Sequence, residues 1–138
     1  MALIDWSKVD TGIEVSHLKS SRNQLVIKLK RQELLELVNE LEELYLSGAG
    51  ELRLIVSHEW VLFWKERESG NRALQAHPEE NQWVGTVALE KKDAQIFLLS
   101  SKNMLKNMQE GQSLTLGECV TLASVSNLDV TLILSSNQ

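Results

Sequence analysis

The sequence predicts a single α+β domain in which a mostly antiparallel β-sheet is covered by one long amphipathic helix, residues 31–46, and one short helix, residues 102–109. Three observations carry this. Leu34, Leu37, Val38, Leu41, Leu44 and Tyr45 recur at i, i+3, i+4, i+7, i+10 and i+11, which lays one apolar stripe along a helix. Short runs that alternate apolar and polar residues flank that helix on both sides, as half-buried strands do. The chain has 138 residues, 43% of them hydrophobic and 24% charged, which suits one globular unit able to bury about two thirds of its unfolded surface without a staple.

Taken in order, Ile13 and Val15 alternate with polar neighbours and predict a short strand, and residues 20–23 are turn-like. Residues 24–30 predict a stronger strand through Leu25, Ile27 and Leu29. The chain then enters the long helix almost without a loop. Lys30 and Arg31 stand at its start, where the helix dipole prefers anions, and Glu33 in the first turn offsets them in part. Gly48 is placed to end this helix in the left-handed conformation.

Residues 51–57 and 60–66 predict two strands separated by Ser57, His58 and Glu59, hence an antiparallel hairpin. Residues 67–82 are polar and contain Gly70 and the single proline, Pro78, and predict a long exposed loop. Residues 83–90 predict a strand, 91–93 a turn, 94–99 another strand, and 102–109 the short helix. Strands at 113–116, 118–125 and 128–134 complete the reading. The order strand, helix, strand, strand describes residues 24–66 and again residues 94–134, a weak βαββ pseudo-repeat with little residue identity behind it.

Composition narrows the function. A net charge of −5 opposes phosphate backbones and anionic lipid, so neither nucleic acid nor a membrane surface is an expected partner. One cysteine, Cys119, forbids an intrachain disulfide and fits a reducing compartment. No apolar run approaches the roughly 20 residues of a membrane helix. The N-terminus meets Asp5 and Lys8 before a signal-peptide core can form, and a cytoplasmic location is expected.

Motifs for catalysis are weak. His17, His58 and His77 lie far apart without metal-ligand spacing, and no metal or cofactor is predicted. Cys119 has Glu118 beside it rather than a base, which predicts an inert structural thiol. No Gly-x-Ser-x-Gly elbow or phosphate loop occurs. These absences weigh against an enzyme.

Two features point to a protein partner. Four tryptophans beside one tyrosine and two phenylalanines is a skewed set, and tryptophan is a frequent interface anchor. If the helix covers one face of the sheet, Trp60, Trp64 and Trp83 supply apolar anchors and Glu66, Arg67, Glu68 and Arg72 a polar rim. The second feature is the row of glutamates along the helix, of which Glu36 and Glu40 form an acidic docking stripe for a basic protein. The expected function is thus a non-catalytic protein-binding module, an inhibitor, an immunity-like protein or an assembly factor. A homo-oligomer built on an uncovered sheet face is a variant of that reading. The alternative is a small-molecule or metal-ion binder or enzyme with a pocket between the sheet and residues 67–82.

Overall fold

The backbone forms two mixed sheets and two helices of equal length around one core. The computed structural model describes residues 2–6, 12–17, 23–47, 50–68, 72–107, 112–120 and 127–134. In chain order the strands are β1 (Ala2–Asp5), β2 (Gly12–His17), β3 (Asn23–Leu29), β4 (Leu52–Ile55), β5 (Trp60–Glu66), β6 (Leu74–Pro78), β7 (Trp83–Leu89), β8 (Ser113–Thr115) and β9 (Leu128–Leu134). Helix α1 (Arg31–Ser47) follows β3, helix α2 (Lys91–Asn107) follows β7, and a single 3-10 turn (Leu116–Glu118) follows β8.

One sheet has the order β1-β4-β5-β7-β6 and the other β2-β3-β9-β8. The pairs of successive strands β2/β3, β4/β5, β6/β7 and β8/β9 are antiparallel, the first three across connections of four or five residues and the last across twelve. The pairs that join distant parts of the chain, β1/β4, β5/β7 and β3/β9, are parallel. The expected mostly antiparallel sheet is therefore corrected to two mixed sheets. Local periodicity reports hairpins, and it carries no information on which hairpin lies beside which.

The second half of the chain repeats the first more closely than the sequence suggests. Hairpin β2/β3, helix α1 and hairpin β4/β5 correspond to hairpin β6/β7, helix α2 and hairpin β8/β9. Strand β7 and helix α2 stand 60 positions after β3 and α1, residue for residue. The two halves exchange hairpins. Strand β5 of the first half pairs in parallel with β7 of the second, and β9 of the second pairs in parallel with β3 of the first. The registers match: Trp60 lies opposite Trp83, and Leu128 opposite Asn23. Even the bonds that open each pair recur, with the Trp83 N–H donating to the Glu59 carbonyl and the Asn23 N–H to the Asn127 carbonyl, both at 2.7 Å.

This repeat overturns the expected boundaries of the second helix. Residues 91–93, read as a turn, and 94–99, read as a strand, form the first half of α2. Its buried residues Asp93, Ala94, Phe97, Leu98, Ser101, Met104 and Leu105 occupy the places of Glu33, Leu34, Leu37, Val38, Leu41, Leu44 and Tyr45 in α1. The helical stripe is masked in the sequence for two reasons. Ile96 and Leu99 are apolar on the outer side, which imitates alternation, and the central inward position is Ser101. Its hydroxyl is hidden by donating to the Phe97 carbonyl four residues back, at 2.9 Å.

Residues 67–82 are corrected as well, because they contain β6. Leu74 and Ala76 face the core while Gln75 and His77 face out, and a small alanine conceals that alternation from a hydropathy reading. Pro78 closes this edge strand, a position where its missing N–H is harmless. The strand read at 118–125 is not seen where the chain is described: Glu118 ends the 3-10 turn, and Cys119 and Val120 are buried in the bend that follows. The proposed turn at 20–23 lies largely outside the described residues, as does Gly48. Gly50, at φ +87°, takes a left-handed conformation soon after α1.

The start of α1 is stabilised from within. Glu33 Oε1 accepts a hydrogen bond from the Lys30 backbone N–H at 2.8 Å, one half of a capping box, and the buried carboxylate sits where the helix dipole favours an anion. Helix α1 packs on β3, β4 and β5, and α2 on β7 and β8, so each helix touches both sheets. Elsewhere the sheets meet directly. Gly85 of β7 makes room for Leu62 and for Leu128 of the other sheet, since a Cβ there would lie 2.5 Å from one and 3.1 Å from the other. At the edge, the Asn127 side chain receives the Ala76 N–H on Oδ1 and donates from Nδ2 to the Ala76 carbonyl, each at 2.8 Å.

Candidate functional site

The expectation of a free indole face is corrected by burial. Trp60 and Trp64 are 2% and 0% exposed, and Trp6 is 3% exposed. The alternate positions Trp60, Leu62 and Trp64 of β5 point into the core shared with the helices, where Trp64 meets Phe97 of α2 at a ring-centroid distance of 5.5 Å. Trp83 is half-buried and stacks on Trp60 across the parallel pair, with centroids 5.5 Å apart and planes 12° apart. The indoles thus consolidate the joint between β5, β7 and α2.

The polar rim residues fall near this joint but do not converge on a pocket. Glu66, Glu68 and Arg72 are exposed. Arg67 is half-buried; its backbone N–H donates to the Leu89 carbonyl at 2.9 Å, and its guanidinium lies 3.7 Å from Glu90. Among the described residues, no group of three His, Cys, Asp or Glu side chains is placed to hold a metal ion. His58 and His77 are exposed, the latter 3.8 Å from Glu79.

Cys119 is buried, with its Sγ 3.8 Å from the Thr115 carbonyl that accepts its thiol proton. Burial foremost, then the charges of Glu118, Asp93 and Asp129, pushes the thiol from 9.0 up to about 11. This environment disfavours a thiolate nucleophile at neutral pH. Tyr45 is equally held: its hydroxyl donates to the Lys65 carbonyl at 2.7 Å, and burial raises its pKa above the ordinary value.

The surface that stands out is the outer side of the helix pair. Glu42 of α1 forms a salt bridge with Lys102 of α2, and these two positions correspond under the repeat, so the pair marks the centre of the helix crossing. Beside it lies a groove of about 290 Å³ whose walls include Tyr45 and Leu46 of α1 and Lys91, Gln95, Leu98 and Leu99 of α2. The C-terminal part of α1 therefore lies against the N-terminal part of α2, and the helices run antiparallel. Leu46 is 76% exposed, Leu99 63% and Ile96 51%, with Leu35 at 38% on the same layer.

The repeat supplies an internal control for these side chains. The positions that correspond to Leu46, Leu99 and Ile96 are Lys106, Asn39 and Glu36, and all three are exposed. The same backbone setting thus accepts a polar residue, so the fold itself does not call for leucine or isoleucine there. Charge divides between the helices too. Helix α1 carries one arginine and five glutamates, and α2 carries four lysines and one aspartate. Of the predicted docking stripe, Glu36 is exposed on this layer and Glu40 is half-buried toward its flank. Ile96 and Leu99 escape a sequence reading that starts the second helix at residue 102, and Leu46 escapes it as the last residue of the predicted helix 31–46. The signal that finds them is the comparison of the two helices at a spacing of 60.

Comparison with protein-family models, curated proteins and solved structures finds no match to this chain. Among the described residues, no helix is long and apolar enough to cross a membrane.

Proposed function

We propose that the protein is a non-catalytic protein-binding module whose binding face is the outer layer of α1 and α2. The observation that carries this reading is the exposure of Leu46, Ile96 and Leu99 at positions whose counterparts in the repeat are polar. Leu46 and Leu99 line the groove and Ile96 lies one turn from Leu99, and exposed aliphatic side chains flanked by charges have the composition of a protein interface: an apolar centre with a polar rim. Glu36 and Glu40 keep the role expected of them, as charges that steer a partner toward the face rather than as the source of its affinity. Beneath α2 the buried Trp64 packs on Phe97 and so backs one helix of the face.

Affinity capture from the native host, comparing the wild type with a Leu46→Glu/Leu99→Glu variant, tests this. Both side chains are exposed, so melting temperatures should agree within a few degrees. The expected result is a partner retained by the wild type and lost by the variant. Identical captured sets from two equally stable proteins would remove the helix layer from consideration. Reversal of Glu36 and Glu40 to lysine should slow association at low salt and leave melting nearly unchanged.

A further inference from the structure

We infer that the partner of this face is a second copy of the chain, bound about a two-fold axis that lies in the face parallel to the helices. The inference rests on the binding face proposed above and assigns its occupant from charge and spacing. Two axes can bring two copies of an antiparallel helix pair face to face. An axis across the helices sets α1 on α1, with the exposed Glu36 and Glu43 against their own copies, and α2 on α2, with the exposed Lys91, Lys92 and Lys106 against theirs. An axis along the helices sets α1 of each copy on α2 of the other, acidic helix on basic helix and antiparallel.

Only the second arrangement also matches the apolar positions. With Glu42 and Lys102 at one level, and a rise of about 1.5 Å per residue, Leu46 lies about 6 Å toward one end of the pair. On the oppositely directed α2, Leu99 lies about 4.5 Å and Ile96 about 9 Å toward that same end. The lengthwise axis preserves level, so Leu46 of each copy enters between Leu99 and Ile96 of the other. Toward the opposite end, Glu36 stands about 9 Å and Lys106 about 6 Å from the centre, and the same rotation brings them together. One operation thus pairs the exposed leucine and isoleucine with their like and the free charges with their opposites.

The area sets the strength. Two helices of 17 residues present a face about 25 Å long and about 20 Å wide, so the pair of copies would bury roughly 1,000 Å² in total. That is near the lower limit for a specific interface, and a reversible dimer with a dissociation constant in the micromolar range is expected.

Sedimentation velocity of the full chain from about 1 to about 200 µM reads the association directly. The expected result is a shift from monomer to dimer mass that weakens as salt is raised. Leu99→Glu should abolish it, and Glu36→Lys or Lys106→Glu alone should weaken it about tenfold or more. The two charge reversals in one chain should restore it, because each swapped pair is again opposite in sign. A monomer at every concentration, or a dimer indifferent to Leu99→Glu and to both charge reversals, would overturn the inference. A photo-crosslinking residue at position 99 in the native host separates this from the underlying reading. An adduct of twice the chain mass supports the second copy. An adduct with another protein alone overturns the second copy and leaves the binding face standing, and no adduct at all overturns both.

Discussion

Asn127 pairs with Ala76 as a strand would: its amide side chain accepts from the Ala76 N–H and donates to the Ala76 carbonyl, both at 2.8 Å. One side chain thereby satisfies two backbone groups on edge strand β6 and ties the five-stranded sheet to the start of β9 in the other. Asn127→Ala should lower the unfolding free energy by about 2 kcal/mol, two hydrogen bonds lost against partial rehydration. Asn127→Asp keeps the acceptor but sets a carboxylate oxygen against the Ala76 carbonyl, and should cost at least as much. Urea unfolding followed by tryptophan fluorescence checks both, with an unchanged slope showing that stability alone has moved.

Trp64 should behave as a core residue. Trp64→Ala removes a ring in contact with Phe97 and should cost about 3–5 kcal/mol, whereas Trp83→Ala, at a half-buried position, should cost about half as much. Thermal melts of the two variants separate them. Equal small losses would return Trp64 to the surface.

Gly85 should resist enlargement. A Cβ at position 85 would stand 2.5 Å from a methyl of the buried Leu62 and 3.1 Å from one of Leu128 in the other sheet, so both side chains must give way to it. Gly85→Val should cost about 1–3 kcal/mol by overpacking. A paired Leu62→Ala change, which opens that space, should return part of the loss in a double-mutant cycle.

The Glu33 carboxylate is expected to contribute about 1 kcal/mol through its bond to the Lys30 N–H and its place in the first turn of α1. Glu33→Ala should show this in urea unfolding at neutral pH. Glu43→Ala, exposed on the same helix, should stay within about 0.5 kcal/mol of the wild type.

Cys119 gives stability a dependence on alkaline pH. Its thiol is raised from 9.0 to about 11 in the folded chain. Between those values the unfolded chain has released the proton and the native chain still holds it, so stability falls as pH rises through this window and the contribution is intact below it. Tyr45, also raised, adds a loss of the same sign at higher pH. Comparison of urea midpoints at about pH 8 and about pH 10.5 should show a smaller fall in Cys119→Ala than in the wild type. Alkylation of the native thiol by iodoacetamide should likewise be slow at neutral pH and comparable to a free cysteine only after unfolding.

The helix 31–46, the hairpin of β4 and β5, and the strands near 24–30, 83–90, 113–116 and 128–134 were all legible, because each buries one face and shows the matching period. What the sequence concealed has identifiable causes. Ser101 in place of an aliphatic residue, with Ile96 and Leu99 outside, gave α2 the look of a strand. Ala76 gave β6 the look of a loop. The parallel pairs join strands that are not neighbours in the chain, in the case of Asn23 with Leu128 more than a hundred positions apart, and no local pattern encodes them. Of the candidate site, Glu36 is exposed and Glu40 half-buried, whereas Trp60 and Trp64 went inside because the helices cover the very face of β5 that carries them.

The exchange of hairpins between the two halves makes their completion mutually dependent. Strand β3 can pair with β2 as soon as it emerges from the ribosome, yet it waits for β9, the last described strand to be synthesised, before its second edge is covered. In that interval the outer edge of β3 is an unpaired template for any passing strand, a hazard that ends only when β9 arrives.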